Sequence, residues 1–224
     1  MNSPVVLTYV DNLAIFLERA GENREAEALF RHALQSRCVE LGWNHEDTLR
    51  SANNLAVLLD SDQQAGEALQ LYRQVAAGRG RLLGEDHRKT LESKYSLAVH
   101  LADHGSSEEA ILILNALVAT LESQGAGEGE WVLACIKRLG ELHADRNEHL
   151  ASEAMFRRAI AFYGDIDSVE AADAANSLAL VLTRQGRNAE AEPLHRAALA
   201  GYAAHFSPDD AYVLDAFFSL GCCL

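Results

Sequence analysis

Ser51–Tyr72, SANNLAVLLDSDQQAGEALQLY, is the stretch whose reading decides the fold. Two apolar-periodic segments flank a polar turn, which predicts helix, turn and helix. Leu55, Ala56 and Leu59 share one face of the first segment, and Ala68, Leu69 and Tyr72 share one face of the second. The same unit recurs along the chain. Leu13-Ala14, Leu55-Ala56, Leu97-Ala98 and Leu139-Gly140 follow one another at 42-residue steps; Leu178-Ala179 comes 39 later and Leu220-Gly221 a further 42. The second-segment alanine recurs at Ala26, Ala68, Ala110, Ala154 and Ala191. A fixed period in this range is the signature of an all-α solenoid of stacked helical hairpins.

The expected repeats are approximately 4–42, 48–84, 90–125, 130–164 and 169–204, with a lone helix at 208–224, all in one solenoid spanning 1–224. Ser3-Pro4 signals the first helix start, because serine can cap free amides and proline fits the first helical position. Asn23 is a candidate cap for the next helix. Gln63 occupies the turn position that Gly21, Gly105 and Gly186 hold elsewhere, so a left-handed non-glycine residue is expected there. Fifteen residues separate Leu139 from Ala154 against thirteen in the other repeats, which reads as a two-residue insertion near 147–150. Gly125-Ala126-Gly127-Glu128-Gly129 is the one Gly-rich stretch and reads as a connector. Pro193 is expected near enough to its helix start to cost little. Phe217, Phe218, Leu220 and Leu224 present an apolar face with no following helix in the sequence. Terminal repeats normally carry a polar outer face. The expectation is therefore a fragment of a longer protein, or an end covered by a partner chain or by self-association.

Composition narrows the function classes. The 224 residues are 49% hydrophobic and 23% charged, with 33 acidic against 19 basic side chains and a net charge of −14. That balance opposes unspecific binding to nucleic acid or an anionic membrane, both of which need a positive field. Neutral or cationic partners suit it better. Cys38, Cys135, Cys222 and Cys223 lack C-x-x-C spacing and read as free thiols. Gly221 stands where a prenylation box needs cysteine. No stretch approaches the ~20 apolar residues of a membrane span, and a cytoplasmic location is expected.

No motif announces catalysis, a cofactor or a metal. His45 and His87 occupy equivalent linker positions, and the repeat itself accounts for them. His100, His104 and His143 show neither H-E-x-x-H nor a carboxylate at ligand spacing. Gly125–Gly129 lacks the Lys-Ser/Thr of a phosphate-binding loop. The sequence predicts a binding protein, not an enzyme.

The order Leu-Ala, Gly, Glu-Ala, then Tyr or Phe and Ala resembles the tetratricopeptide repeat, in its 42-residue, kinesin-light-chain-like form. The resemblance rests on Asn53-Asn54-Leu55-Ala56, Glu25-Ala26-Glu27 with Leu29, Glu190-Ala191-Glu192-Pro193-Leu194, Leu41-Gly42 with His45, Leu83-Gly84-Glu85-Asp86-His87 and Ser207-Pro208-Asp209-Asp210. HEAT and armadillo repeats have an overlapping period, but small residues after each leucine with glycine eight positions on argue against them. The resemblance implies a right-handed superhelix whose first helices line a concave, protein-binding groove. The groove face includes the positions two and one before each anchoring leucine. Those are Asp11-Asn12, Asn53-Asn54, Tyr95-Ser96, Lys137-Arg138, Asn176-Ser177 and Phe218-Ser219. By resemblance, Asn53 and Asn54, with Asn12 and Asn176 as partial matches, clamp the backbone of an extended peptide; an amide offers donor and acceptor together. Tyr95 is a candidate pocket wall, and Lys137 with Arg138 a local basic spot. The alternative role is a regulatory or structural arm of a larger signalling protein, with another domain in the groove or on the terminal apolar face.

Overall fold

The computed structural model describes residues 3–125, 130–164 and 168–223, and every regular element among them is an α-helix. In chain order these are α1 (Pro4–Arg19), α2 (Asn23–Leu41), α3 (Glu46–Ser61), α4 (Ala65–Leu83), α5 (Arg88–Asp103), α6 (Ser107–Ser123), α7 (Glu130–Asp145), α8 (His149–Tyr163), α9 (Val169–Arg184), α10 (Asn188–His205) and α11 (Ala211–Cys223). They fall into two compact units, Met1–Ile113 and Leu114–Leu224, divided within α6.

In the first unit α1 packs on α2, α2 on α3, α3 on α4 and α4 on α5; in the second, α7 packs on α8, α8 on α9, α9 on α10 and α10 on α11. The turn inside each hairpin is a repeated solution to the free carbonyls of a helix end. Gly21, Gln63, Gly105, Asn147 and Gly186 all take positive φ, at 83°, 61°, 82°, 59° and 73°. The amide of the next residue then reaches back to the carbonyl of Leu17, Leu59, Leu101, His143 or Leu182, at 2.8–3.0 Å. This six-to-one closure needs a left-handed residue. Glycine adopts it freely; Gln63 meets the sequence expectation by adopting it without glycine's freedom.

Asn147 overturns the expected insertion. It stands eight residues after Leu139, as Gly21 stands after Leu13, so the turn is of ordinary length. The equivalent of Ala26, Ala68, Ala110 and Ala191 is then Ser152, fully buried with its hydroxyl donating to the Gly140 carbonyl at 2.7 Å, whereas Ala154 is exposed. A serine fills an alanine slot when its hydroxyl finds an acceptor. The shortened step to Leu178 instead comes from α8 itself, at 15 residues the shortest of the hairpins' second helices.

Three further expectations are corrected near the starts of helices. Asn23 is the first residue of α2 rather than its cap, which is Glu22; the Ser3 side chain makes no capping bond, although Pro4 does open α1. Pro193 is the sixth residue of α10, past the four amides that lack partners anyway, so it forfeits one internal hydrogen bond. It lines a hollow of about 680 Å³ with Ile160, Leu178, Leu182 and Leu194.

The linkers after α2 and α4 share one construction. Gly42 and Gly84 terminate their helices at φ 83° and 99°, and Thr48 and Thr90 donate their hydroxyls back to the Gly42 and Gly84 carbonyls at 2.8 Å. His45 and His87 cap α3 and α5, each Nδ1 accepting from the backbone amide two residues on at 3.2 Å. The linker histidines therefore act as caps.

The anchoring leucines Leu55, Leu97, Leu139 and Leu178 are buried, but Leu13 is 50% exposed. α3 lies between α2 and α4, whereas α1 packs chiefly on α2, leaving Val5, Tyr9 and Phe16 exposed too. At α11, Leu220 turns inward with Ala216 and Cys223, against the expected outward face. Phe217 and Phe218 remain 67% and 72% exposed; Leu224 and residues 126–129 of the Gly-rich stretch lie outside the described residues.

Candidate functional site

The positions before each anchoring leucine look alike in sequence but divide sharply by what holds their side chains. On α1, Asp11 is 3% exposed and forms an ion pair with Arg37 of α2, itself 1% exposed. Ser51 of α3 completes the group, accepting from Arg37 and donating to Asp11. Two opposite charges taken from water in this way need each other. Asp11 is thereby an internal strut.

One period later the same construction is incomplete. Arg79 and Ser93 repeat Arg37 and Ser51, and Arg79 donates to the Ser93 hydroxyl at 2.6 Å and to the Lys89 carbonyl at 3.3 Å. The residue in Asp11's place is Asn53, and no carboxylate pairs with Arg79 among the described residues. The Arg79 Nε is buried without a partner, and burial pulls the guanidinium's ionisation down, against the pull of Glu92 and Glu46. Asn53 and its neighbour Asn54 are half-buried on α3, and their amides have no hydrogen-bond partner among the described residues. Asn12 of α1 is exposed and Tyr95 of α5 is half-buried. These four expected groove residues belong to one compact unit.

The expected residues of the second unit are engaged internally. Lys137 of α7 pairs with Asp173 of α9. Burial opposes the ammonium, but the Asp173 hydrogen bond and charge outweigh it and raise its ionisation above the ordinary lysine range. Asp173 also accepts from the Tyr202 hydroxyl at 3.3 Å. Arg138 donates to Glu141 at 2.9 Å. The Asn176 carbonyl oxygen lies 2.9 Å from Nδ1 of His195, which is fully buried and whose imidazole burial holds below its ordinary ionisation range. Lys137 nevertheless borders a cavity of about 470 Å³ with Leu133, Ala134, Tyr163, Ser168 and Glu170.

Sequence reasoning missed Arg79, although its 42-residue echo of Arg37 was available. It also missed a ladder of ion pairs 36 residues apart, Arg31–Glu67, Arg73–Glu109, Glu122–Arg158 and Lys137–Asp173. His100 and His104, read as lacking a carboxylate at ligand spacing, both meet Asp60 of α3. Cys135 is buried and its thiol is pushed up to about 12, which makes it a poor nucleophile. Among the described residues, no helix is long and apolar enough to cross a membrane.

The tetratricopeptide-repeat family matches the chain twice, over residues 5–80 and over residues 171–212. No curated protein sequence matches it. Among solved structures, a kinesin-light-chain-like protein of Podosopora anserina with nearly identical repeats is 23% identical, covering 91% of this chain and 98% of its own, at a TM-score of 0.81. BtubC from P. vanneervenii is 21% identical, covering 93% and 86%, at 0.77. A Rap protein complexed with competence and sporulation factor is 14% identical, covering 97% of this chain and 62% of its own, at 0.68. At these identities the likeness establishes an all-α repeat solenoid.

Proposed function

Because the chain belongs to the tetratricopeptide-repeat family, we propose that it is a protein-interaction scaffold whose repeats form one solenoid over residues 1–224 and hold an extended peptide segment at α1, α3 and α5. Asn53 and Asn54 are its clamp, with Asn12 and Tyr95 flanking them. One observation carries the reading: among the described residues these two amides have no internal partner, while Asp11, Lys137 and Asn176 at equivalent positions have one. A half-buried amide without a partner is costly unless a ligand or water satisfies it. Lys137, Arg138 and Asn176 serve first as struts, with Lys137 also bordering a second, smaller recess. The Rap structure, of the same fold and in a complex with a factor, supports a peptide or protein partner. Neither catalysis nor a cofactor enters the mechanism, which is the presentation of a preformed surface that spares ordering cost on the receptor side.

The test is to recover partners by pull-down, map the bound segment on a peptide array, and measure its affinity for Asn53→Ala and Asn54→Ala. Each lost hydrogen bond nets about 0.5–1.5 kcal/mol, so binding weakens about 2- to 13-fold per variant while thermal stability holds. Unchanged affinity in both removes the clamp. The exposed Phe217, Phe218, Tyr212 and Leu214 of α11 favour a second reading, a regulatory or structural arm whose terminal face meets another domain or protomer. Concentration-dependent association lost in Phe218→Ser supports that reading.

A further inference from the structure

Asp60, in the last turn of α3, meets two histidines one turn apart at the end of α5. His100 Nδ1 and His104 Nε2 each lie 2.8 Å from the same carboxylate oxygen, Asp60 Oδ1. The three donor atoms all lie within 4.8 Å of one another. This convergence is absent from the repeat pattern. His100 stands where the other hairpins carry Phe16, Leu58, Leu142 and Val181, and the equivalents of Asp60 are Glu18, Ala102, Ala144 and Thr183. An imidazole 1% exposed in a slot that elsewhere holds an apolar side chain is a departure that packing alone does not require. Its ring is wedged 5.3 Å from the Tyr72 ring and 4.4 Å from that of His104. The side chains of His104 and Asp60, 39% and 25% exposed, open the cluster to solvent on one side.

Two imidazole nitrogens and one carboxylate oxygen, held on two packed hairpins, form a borderline donor set. That set suits zinc, cobalt, nickel or copper, whereas magnesium and calcium prefer all-oxygen surroundings. Metal–nitrogen and metal–oxygen bonds of about 2.0–2.2 Å put tetrahedral donors about 3.4 Å apart, so the two closest pairs need open by only about half an ångström. We propose that Asp60, His100 and His104 bind one divalent first-row transition-metal cation, with the solvent side left for a fourth ligand. The cation ties α3 to α5 and stabilises the Met1–Ile113 unit. The site is independent of the peptide clamp, which uses none of these side chains.

The test uses the full, tag-free chain stripped with chelator, titrated with Zn(II) in a calorimeter and with Co(II) followed by visible absorption. One Zn(II) per chain is expected, with a raised thermal midpoint, because a ligand that binds only the native state stabilises it. His104→Ala and Asp60→Asn each weaken Zn(II) binding at least tenfold and abolish the midpoint rise. His100→Leu, which copies Leu58 and Leu142, folds and loses the site. Absence of saturable binding, or binding undiminished in both His104→Ala and Asp60→Asn, overturns the proposal and leaves Asp60 as a hydrogen-bond acceptor shared by two rings.

Discussion

Replacing Asp11 with asparagine makes the first hairpin resemble the second, and its cost follows from the geometry. Arg37 keeps 1% of its surface, its Nη2 already lacks a partner, and its ionic partner is Asp11. Removing one member of a buried ion pair costs about 3–5 kcal/mol, because the remaining charge is stranded away from water. An amide oxygen still accepts a hydrogen bond, which places Asp11→Asn near the lower end of that range, about 3 kcal/mol. For a chain of this length each 1 kcal/mol lowers the thermal midpoint by about 2–4 °C, so a fall of about 6–12 °C is expected. The loss is local, since repeat stability is a sum of nearest-neighbour terms. Urea unfolding followed by circular dichroism gives the magnitude, and amide hydrogen exchange shows α1–α3 losing protection while α9 and α10 keep theirs. The reciprocal change, Asn53→Asp, supplies Arg79 with the carboxylate it lacks. A hydrogen bond to a charged group contributes about 1.5–3 kcal/mol, less the cost of dehydrating the new carboxylate, so a net gain of about 1 kcal/mol is expected. A loss below about 1 kcal/mol in Asp11→Asn, together with no gain in Asn53→Asp, refutes the reasoning that the strut's carboxylate is what distinguishes the two hairpins.

Three other outcomes test the account of the fold. Gln63→Gly relieves a left-handed residue at φ 61° and should stabilise by up to about 1 kcal/mol once glycine's freer unfolded chain is counted; a urea midpoint that falls argues against it. Gly140→Ala places a methyl 2.9 Å from the Phe156 ring and should cost about 1–3 kcal/mol, whereas Gly221→Ala, its equivalent in α11, meets nothing within 4 Å and should not destabilise; equal effects would remove the close approach as the cause. His195 stays neutral when folded because burial depresses its ionisation, while the unfolded imidazole protonates near its ordinary 6.5. The unfolded chain then binds more protons, so this contribution to stability is complete above about pH 6.5 and is lost as pH falls below it. Urea midpoints measured between about pH 8 and pH 5 should fall more steeply for the parent than for His195→Leu, and parallel slopes would dismiss His195 as the source.

The period was legible because the hairpin needs leucine beside a small residue wherever two helices approach, and Ala14, Ala56, Ala98 and Ala179 satisfy that need with full burial. The register of the fourth hairpin was not, because its small buried residue is Ser152 and an exposed alanine stands two positions away. Residue type misled where the physical requirement, small volume with any polar atom satisfied, was met by another residue. The Asp60 cluster was hidden for a different reason: its carboxylate and imidazoles lie 40 and 44 residues apart, near one repeat length, so only stacking of the hairpins brings them together.

The same limit applies to the proposed clamp, and it shows what a repeat sequence withholds. A ladder of polar residues at one helical position implies a common direction, not a common availability. Availability depends on whether the adjoining elements supply a partner, and those partners come from elsewhere in the chain: Arg37 is 26 residues from Asp11, Asp173 is 36 from Lys137 and His195 is 19 from Asn176. Asparagine at 53 and 54 escapes such capture. Arg79, which one period earlier would have met a carboxylate, is tied instead to Ser93 and the Lys89 carbonyl. A neutral amide in place of Asp11's carboxylate thus has two consequences. It leaves the second hairpin without a strut, and it leaves an acceptor and a donor unclaimed on α3. In the proposed function, a peptide backbone, which presents the same two groups, is the ligand chemistry that answers them.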